Sequence, residues 1–243
     1  MHRVYIPKEK LKSNEFILEG PVARHVFLVL RLKARDKFLV FDGMGQEYEA
    51  VIQSVKKGSG ILRLHSIRQI DIPRLKITLA AAIPKKYKFE EIIDKATQLG
   101  VDTIIPLISS RTIVKIKPDK IKYKQERWQR IAIEAAAQSG SAYVPKVETV
   151  KNFKEVLKQV PGFDLALIAC LDDKDTPFLK DVIRGRKSLR PIIFTGPEGD
   201  FDKEEIRSAE LKGCVKVSLG QNILRCNTAA TCVLAVLNYE WTN

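Results

Sequence analysis

Hydrophobic positions change their rhythm once along this chain, near residue 72. Before that point, short runs rich in strand-forming residues recur at Arg3–Ile6, Val26–Leu32, Phe38–Phe41, Glu47–Val55 and Ile61–Ile67. Turn signals such as Asp42-Gly43 and Lys57-Gly58-Ser59-Gly60 separate them. Short strands with such punctuation predict an all-β unit, a small barrel or closed sheet, over residues 1–72. Ile72-Pro73 reads as the linker.

From Leu75 onward, strand and helix patterns alternate. Strands are expected at Lys76–Ile83, Thr103–Ile108, Lys146–Val150, Leu165–Ala169, Ile192–Thr195 and Val215–Leu219. The run Leu165–Ala169 is continuously apolar, as a strand buried on both faces should be. Helices are expected at Lys88–Leu99 with Gly100 closing it, from about Pro118 to Gly140, at Phe153–Gln159 and at Thr228–Tyr239. In the longest of these, Trp128, Ile131, Ala132, Ala135 and Ala136 share one face. Asp202 and Glu205 have capping-box spacing, flanked by Phe201 and Ile206 as a staple, so another helix starts at Lys203. Alternation of this kind predicts an α/β domain over residues 73–243, with a mostly parallel sheet between layers of helices.

Composition narrows the class. The 243 residues are 45% hydrophobic and 29% charged, ordinary for a soluble globular protein. The net charge is +13; residues 1–74 contribute +6 and the remainder +7. A charge spread over both halves suits a polyanionic partner better than a single basic tail would. The densest stretch, Lys115–Arg130, holds seven basic and two acidic residues and reads equally as the exposed face of an amphipathic helix. Cys170, Cys214, Cys226 and Cys232 have no CxxC spacing and read as reduced thiols. With only His2, His25 and His65, no metal site is expected. No apolar run is long enough to span a bilayer, and MHRVYIPKEK has no signal core, so the expected location is cytoplasmic.

Two turns carry the candidate chemistry. The strand at Ile192–Thr195 runs into GPEGDF, and that at Val215–Leu219 into GQNILRCNTA. Gly196, Gly199 and Gly220 would let backbone turn sharply and approach a ligand closely. In open α/β sheets, ligands sit at the carboxyl ends of strands, where both turns fall. Neither is a familiar nucleotide loop: GxxxxGK[ST] is absent, and the GxG at Gly43-Met44-Gly45 lacks its third glycine.

GPEGDF followed about twenty residues later by LGQNILRCNTA resembles the cofactor-binding pair of the SPOUT methyltransferases, and more narrowly the RsmE family of ribosomal RNA uridine-N3 methyltransferases. IPKKYKFEEIIDKATQLGV, ERWQRIAIEAAAQSG and Val144-Pro145 continue the likeness, and HVFLVLRLKARDKFLVFDGMGQEYEAVI resembles that family's N-terminal PUA-like domain. The resemblance implies a knotted (trefoil), Rossmann-like SPOUT methyltransferase domain preceded by a small PUA-like β-barrel. It implies S-adenosylmethionine as cofactor, small-subunit (16S) ribosomal RNA or the assembled subunit as partner, and a homodimer. A non-catalytic RNA-binding protein of the same fold, or a SPOUT enzyme with another RNA target, are the competing readings.

The resemblance assigns the cofactor to Thr195, Gly196, Pro197, Glu198, Gly199, Leu219, Gly220, Ile223, Leu224 and Arg225, with Leu171 as a third wall. Uracil N3 must lose its proton, so a base or a cation stabilising the anion is needed. Arg225 is the candidate cation, or else an ordinary phosphate or carboxylate partner; Glu198 is either the base or a cap on backbone amides. Arg24, Arg31, Lys33, Lys85, Lys86, Arg111 and Arg127 are the candidate RNA contacts. The chain departs from the family pattern at Gln98 and Asn227, where Glu is usual, and at Ser141 and Asn222, where Arg is usual. Asn227 also suits an N-cap for the last helix. Arg35 stands where a glycine is usual, so a different local turn is expected there.

Overall fold

The computed structural model describes residues 1–11, 13–85, 88–171 and 176–242, the side chains of 66 and 67 excepted. Two compact units emerge: Met1–Ile72 together with Ala136–Val144, and Pro73–Ala135 together with Pro145–Asn243.

In the first unit, strands β1 (Arg3–Tyr5), β2 (Glu15–Leu18), β3 (Lys37–Phe41), β4 (Gln46–Lys56) and β5 (Ser59–Gln69) form one sheet. The order is β1-β3-β4-β5-β2, with β1 and β2 at its ends among the described residues. The expected barrel therefore has a seam rather than a closed ring of hydrogen bonds. Register shifts at Glu47/Tyr48 and Ile52/Ser54 mark bulges, which increase local twist. One core, including Val4, Phe38, Val40, Ile52 and Leu62, fills the interior.

Val26–Leu32, expected as a strand, is mostly helical. Helix α1 (Gly20–Arg24) starts with Pro21 in its first turn, and a wide turn over His25–Val29 follows, closed by Leu30 N–H to His25 O at 2.9 Å. A short apolar run fits strand and helix equally; here Ala23, Val26 and Phe27 are buried while Leu28 and Val29 are exposed. Arg35 adopts φ +76°, the left-handed conformation a glycine would favour, and its N–H reaches Ile52 O at 2.8 Å.

Glu47 is fully buried, with Arg3 at 2.6 Å and Arg68 at 2.5 Å on its two oxygens. Burial pushes its carboxyl up, but hydrogen bonds from Arg68 and Arg3 outweigh that and hold it below the ordinary range. The segment after residue 136 closes on this unit: Val144 N–H bonds Gly43 O at 3.0 Å, and Gly45 N–H bonds Ala142 O at 3.1 Å.

The second unit carries β6 (Thr78–Ala82), α2 (Lys88–Gln98), β7 (Thr103–Ile108), α3 (Pro118–Ser139, whose end joins the first unit), β8 (Lys146–Val147), β9 (Lys151–Asn152) and α4 (Phe153–Leu157). β10 (Leu165–Ala169), α5 (Leu179–Ile183), β11 (Pro191–Thr195), α6 (Lys203–Leu211), β12 (Val215–Val217) and α7 (Cys226–Trp241) complete it. The expected strand Lys146–Val150 is thus two separate pairs, β8 and β9, both against β7.

The sheet order is β12-β10-β11-β6-β7-β8, and every pairing among the described residues is parallel. All five positions of β6 and of β11 are buried, the pattern of strands covered on both faces. Chain growth passes from β6 through β7 to β8 on one side, then to β10, β11 and β12 on the other. That reversal is where open α/β sheets bind ligands. Ala169 stands beside Thr195 and also beside Val217, so three strands end level.

Candidate active site

GPEGDF is held from below by its own phenylalanine. Phe201 is 2% exposed and packs on Phe153, ring centroids 5.2 Å apart, within the core that includes Phe194. Asp202 accepts Glu205 N–H at 2.7 Å and Glu205 accepts Asp202 N–H at 3.2 Å, so the expected capping box starts α6. Ile206 packs against the same core as Phe201, completing the staple.

Three other loops fix the turn. After β6, Lys85 N–H donates to Glu198 Oε1 at 3.0 Å. After β7, Arg111 Nη1 donates to Gly199 O at 2.6 Å, while Ser110 gives its N–H and Oγ to Glu205 at 2.8 and 3.0 Å. After β10, Leu171 N–H donates to Asp200 Oδ2 at 2.7 Å. Asp200 adopts φ +59°, unusual outside glycine. Burial raises its carboxyl above the ordinary value, opposed by N–H groups of Phe201 and Leu171 and by nearby Arg111.

The glycines differ in need. A Cβ on Gly196 would meet Asp200 Oδ1 at 3.0 Å and Phe201 N at 3.3 Å, so this turn closes tightly only without one. Gly220 has φ +137°, and a Cβ there would point into open space. Gly199 requires neither: a Cβ would touch only the Arg111 stem at 3.6 Å.

Between the two turns lies a cavity of about 320 Å³. Leu171, Thr195, Gly196, Pro197, Glu198, Leu219, Gly220, Ile223 and Leu224 line it, nine of the eleven residues expected there. Gly199 and Arg225 do not. Arg225 is the exposed N-cap residue of α7, its side chain making no capping bond. Sequence reasoning missed Asp200, Ser218, Gln221 and Cys226 in the lining. Burial, aided by the charge of Glu198, raises the Cys226 thiol, so it is an inert wall.

The lining suits a small molecule with both apolar and cationic parts. Leu171, Pro197, Leu219, Ile223 and Leu224 supply apolar surface, and the charged side chains among the lining are the acids Glu198 and Asp200. The second turn is braced from within: Gly220 N–H donates to Ser218 Oγ at 3.4 Å, and that hydroxyl donates to Gly220 O at 3.1 Å. These features fit S-adenosylmethionine, whose adenine needs apolar walls and whose sulfonium is positive.

The remaining sites scatter. Arg24, Arg31 and Lys33 are exposed on the first unit, Arg31 with φ +58°. On the second, Lys85 is exposed and Arg111 is spent on Gly199. Arg127 pairs with Glu90 at 2.9 Å. Lys86 lies outside the described residues. Asn227 is not the cap of α7: it lies inside the helix, and its Nδ2 donates to Glu91 Oε2 at 2.9 Å. Its buried Oδ1 has no partner among the described residues. Gln98 donates to Asp94, Ser141 exchanges hydrogen bonds with Tyr143, and Asn222 lines the cavity. Among the described residues no helix is long and apolar enough to cross a membrane.

Comparison with known proteins follows the same division. The profile of an RNA methyltransferase domain matches residues 71–238, and that of an RNA methyltransferase PUA domain matches residues 18–64. The ribosomal RNA small subunit methyltransferase E of Synechocystis sp. is 34% identical, over 98% of this chain and 77% of its own. Its Bacillus subtilis counterpart is 31% identical, over 99% and 97%. A Legionella pneumophila methyltransferase, solved with S-adenosylmethionine bound, superposes with TM-score 0.89 at 31% identity, over 98% and 96% of the two chains. A Neisseria gonorrhoeae ribosomal RNA small subunit methyltransferase E, also bound to S-adenosylmethionine, gives 0.88 at 28% identity, over 99% and 98%.

Proposed function

The chain belongs to the ribosomal RNA small subunit methyltransferase E family of SPOUT enzymes, and from that premise we propose that it methylates N3 of a uridine in small-subunit (16S) ribosomal RNA, using S-adenosylmethionine. The observation that carries this reading is the acid-and-apolar cavity between the turns after β11 and β12. The cofactor supplies an electrophilic methyl on a sulfonium; everything else is positioning by the protein.

In this reading the nine lining residues named above hold the cofactor. Gly220 leaves room for its close approach, and Gly196 keeps the first turn tight enough to form a wall. Glu198 braces Lys85 rather than acting as base, since its carboxylate already accepts a main-chain N–H. The Arg225 side chain makes no hydrogen bond among the described residues, while its carbonyl accepts Ala229 N–H at 2.8 Å, and the residue stands one position from two lining residues, Leu224 and Cys226. It is therefore available to a uracil oxygen as N3 loses its proton, a contact that strengthens as charge develops. The acceptor base must be unstacked to reach this site.

RNA is held electrostatically by both units, through Arg24, Arg31, Lys33 and the basic face of α3. The enzyme works as a cytoplasmic homodimer, on the strength of family resemblance and substrate. Mass mapping of methylated nucleosides in ribosomal RNA, with and without the gene, tests the proposal. A 3-methyluridine present in both cells would overturn it.

A further inference from the structure

Asp200 sits where its side chain has cost something to keep. Its backbone is left-handed at φ +59°, a conformation that costs an ordinary residue about 1 kcal/mol or more. Its carboxylate is partly buried between Gly196 and Leu171, both of which line the cavity. No lysine, arginine or histidine is among the described lining residues, although the protein carries a net charge of +13. Of the two acids there, Glu198 has turned to the Lys85 N–H. Glu205 is committed to Ser110 and Asp202, and Arg111 to Gly199. Asp200 is thus, of the two acids among the described lining residues, the less exposed one, held in the wall of the cavity beside Gly196 and Leu171.

Resting on the cofactor reading above, we propose that Asp200 is a specificity-determining residue, by which the site favours the cationic sulfonium over the neutral thioether left after methyl transfer. The two compounds share adenosine, ammonium and carboxylate. They differ by one methyl and one positive charge, and a fixed carboxylate in the wall acts on that charge. Two main-chain donors keep it in place, Leu171 N–H by direct hydrogen bond and Phe201 N–H beside it, and both oppose the upward push of burial on its carboxyl. Such tethering suits a fixed charge better than a proton acceptor, which must be free to reach its substrate.

Calorimetry on the full chain tests this, with S-adenosylmethionine and S-adenosylhomocysteine as separate ligands. Asp200→Asn retains an oxygen for Leu171 N–H, and asparagine tolerates the left-handed backbone. It should lower the ratio of sulfonium to thioether affinity by about tenfold, the scale of one charge contact at a partly solvated wall. Affinity for the thioether should stay nearly constant. If Asp200→Asn does not fold, Asp200→Gly suits the same φ and carries the same expectation. An unchanged ratio, or an equal loss for both compounds, would overturn the proposal and leave Asp200 a loop brace. If the wild type bound neither compound, the cofactor reading itself would fall, and this inference with it.

Discussion

Arg111 donates its Nη1 to the carbonyl oxygen of Gly199 at 2.6 Å, tying the loop after β7 to the turn after β11. A side chain whose basic character suggested RNA is thereby engaged in bracing the turn beside the cavity. Arg111→Ala should weaken S-adenosylmethionine binding by about threefold to tenfold, the worth of one charge-assisted hydrogen bond in partial solvent. Titration calorimetry decides it, and unchanged affinity would return Arg111 to the RNA face.

Arg225 should matter to turnover and little to cofactor affinity. Arg225→Ala should slow methyl transfer by about tenfold to a thousandfold, as loss of one oxyanion-type donor does. Arg225→Lys should recover part of the rate, since a point charge lacks the planar fork. Single-turnover methyl incorporation into small-subunit RNA is the measurement; equal rates would make Arg225 a structural residue.

Gly220→Val should abolish cofactor binding. The backbone at φ +137° strains any side chain, and the strained loop is one that lines the cavity. Folding stability of the free protein should fall by about 1–3 kcal/mol, from backbone strain alone. Normal cofactor affinity in the variant would refute the placement of this loop.

Glu47 links stability to pH. Its folded carboxyl titrates below the ordinary 4.5, so the contribution is complete above that value and is lost as pH falls through the folded one. Glu47→Gln should cost about 3 kcal/mol at neutral pH, because it leaves Arg3 without its buried partner. The gap between variant and wild type should close as pH falls through the folded carboxyl's lowered value, beneath 4.5. Denaturant titrations at several pH values would show it; a pH-independent gap would count against the carboxylate's charge as the cause.

Arg35→Gly should stabilise the protein, by about 1 kcal/mol, because it removes a left-handed non-glycine residue from an exposed turn. A lowered melting temperature would mean that the Arg35 side chain contributes more than its strain costs.

What the sequence disclosed was local. Leu165–Ala169 was legible as a buried strand because both its faces are covered, and the start of α6 because Asp202 and Glu205 satisfy each other's backbone across three residues. Val26–Leu32 misled because apolar content without period does not separate strand from helix. Asn227 misled because a contact with distant Glu91, not capping, decides its role. The two glycine turns announced the cavity, yet Lys85, Ser110 and Arg111, which brace the first of them, come from other strands and left no local signal. Asp200 left a faint one: it is among the few residues that tolerate left-handed backbone, and it directly follows Gly199 in a tight turn.

The segment Ala136–Val144 belongs with strands made much earlier, bridging Met44 with Tyr143 and bonding Gly43 and Gly45. During synthesis from the amino terminus, domains ordinarily fold as they emerge. Here residues 1–72 leave the ribosome while their closing segment is still untranslated, and the intervening chain already includes β6, α2, β7 and most of α3. The sheet and core of the first unit lie within residues 1–72, so Ala136–Val144 is the last piece to reach it, once Val144 has emerged. A pause in translation before that point would hold open the very surface that its final segment is meant to cover.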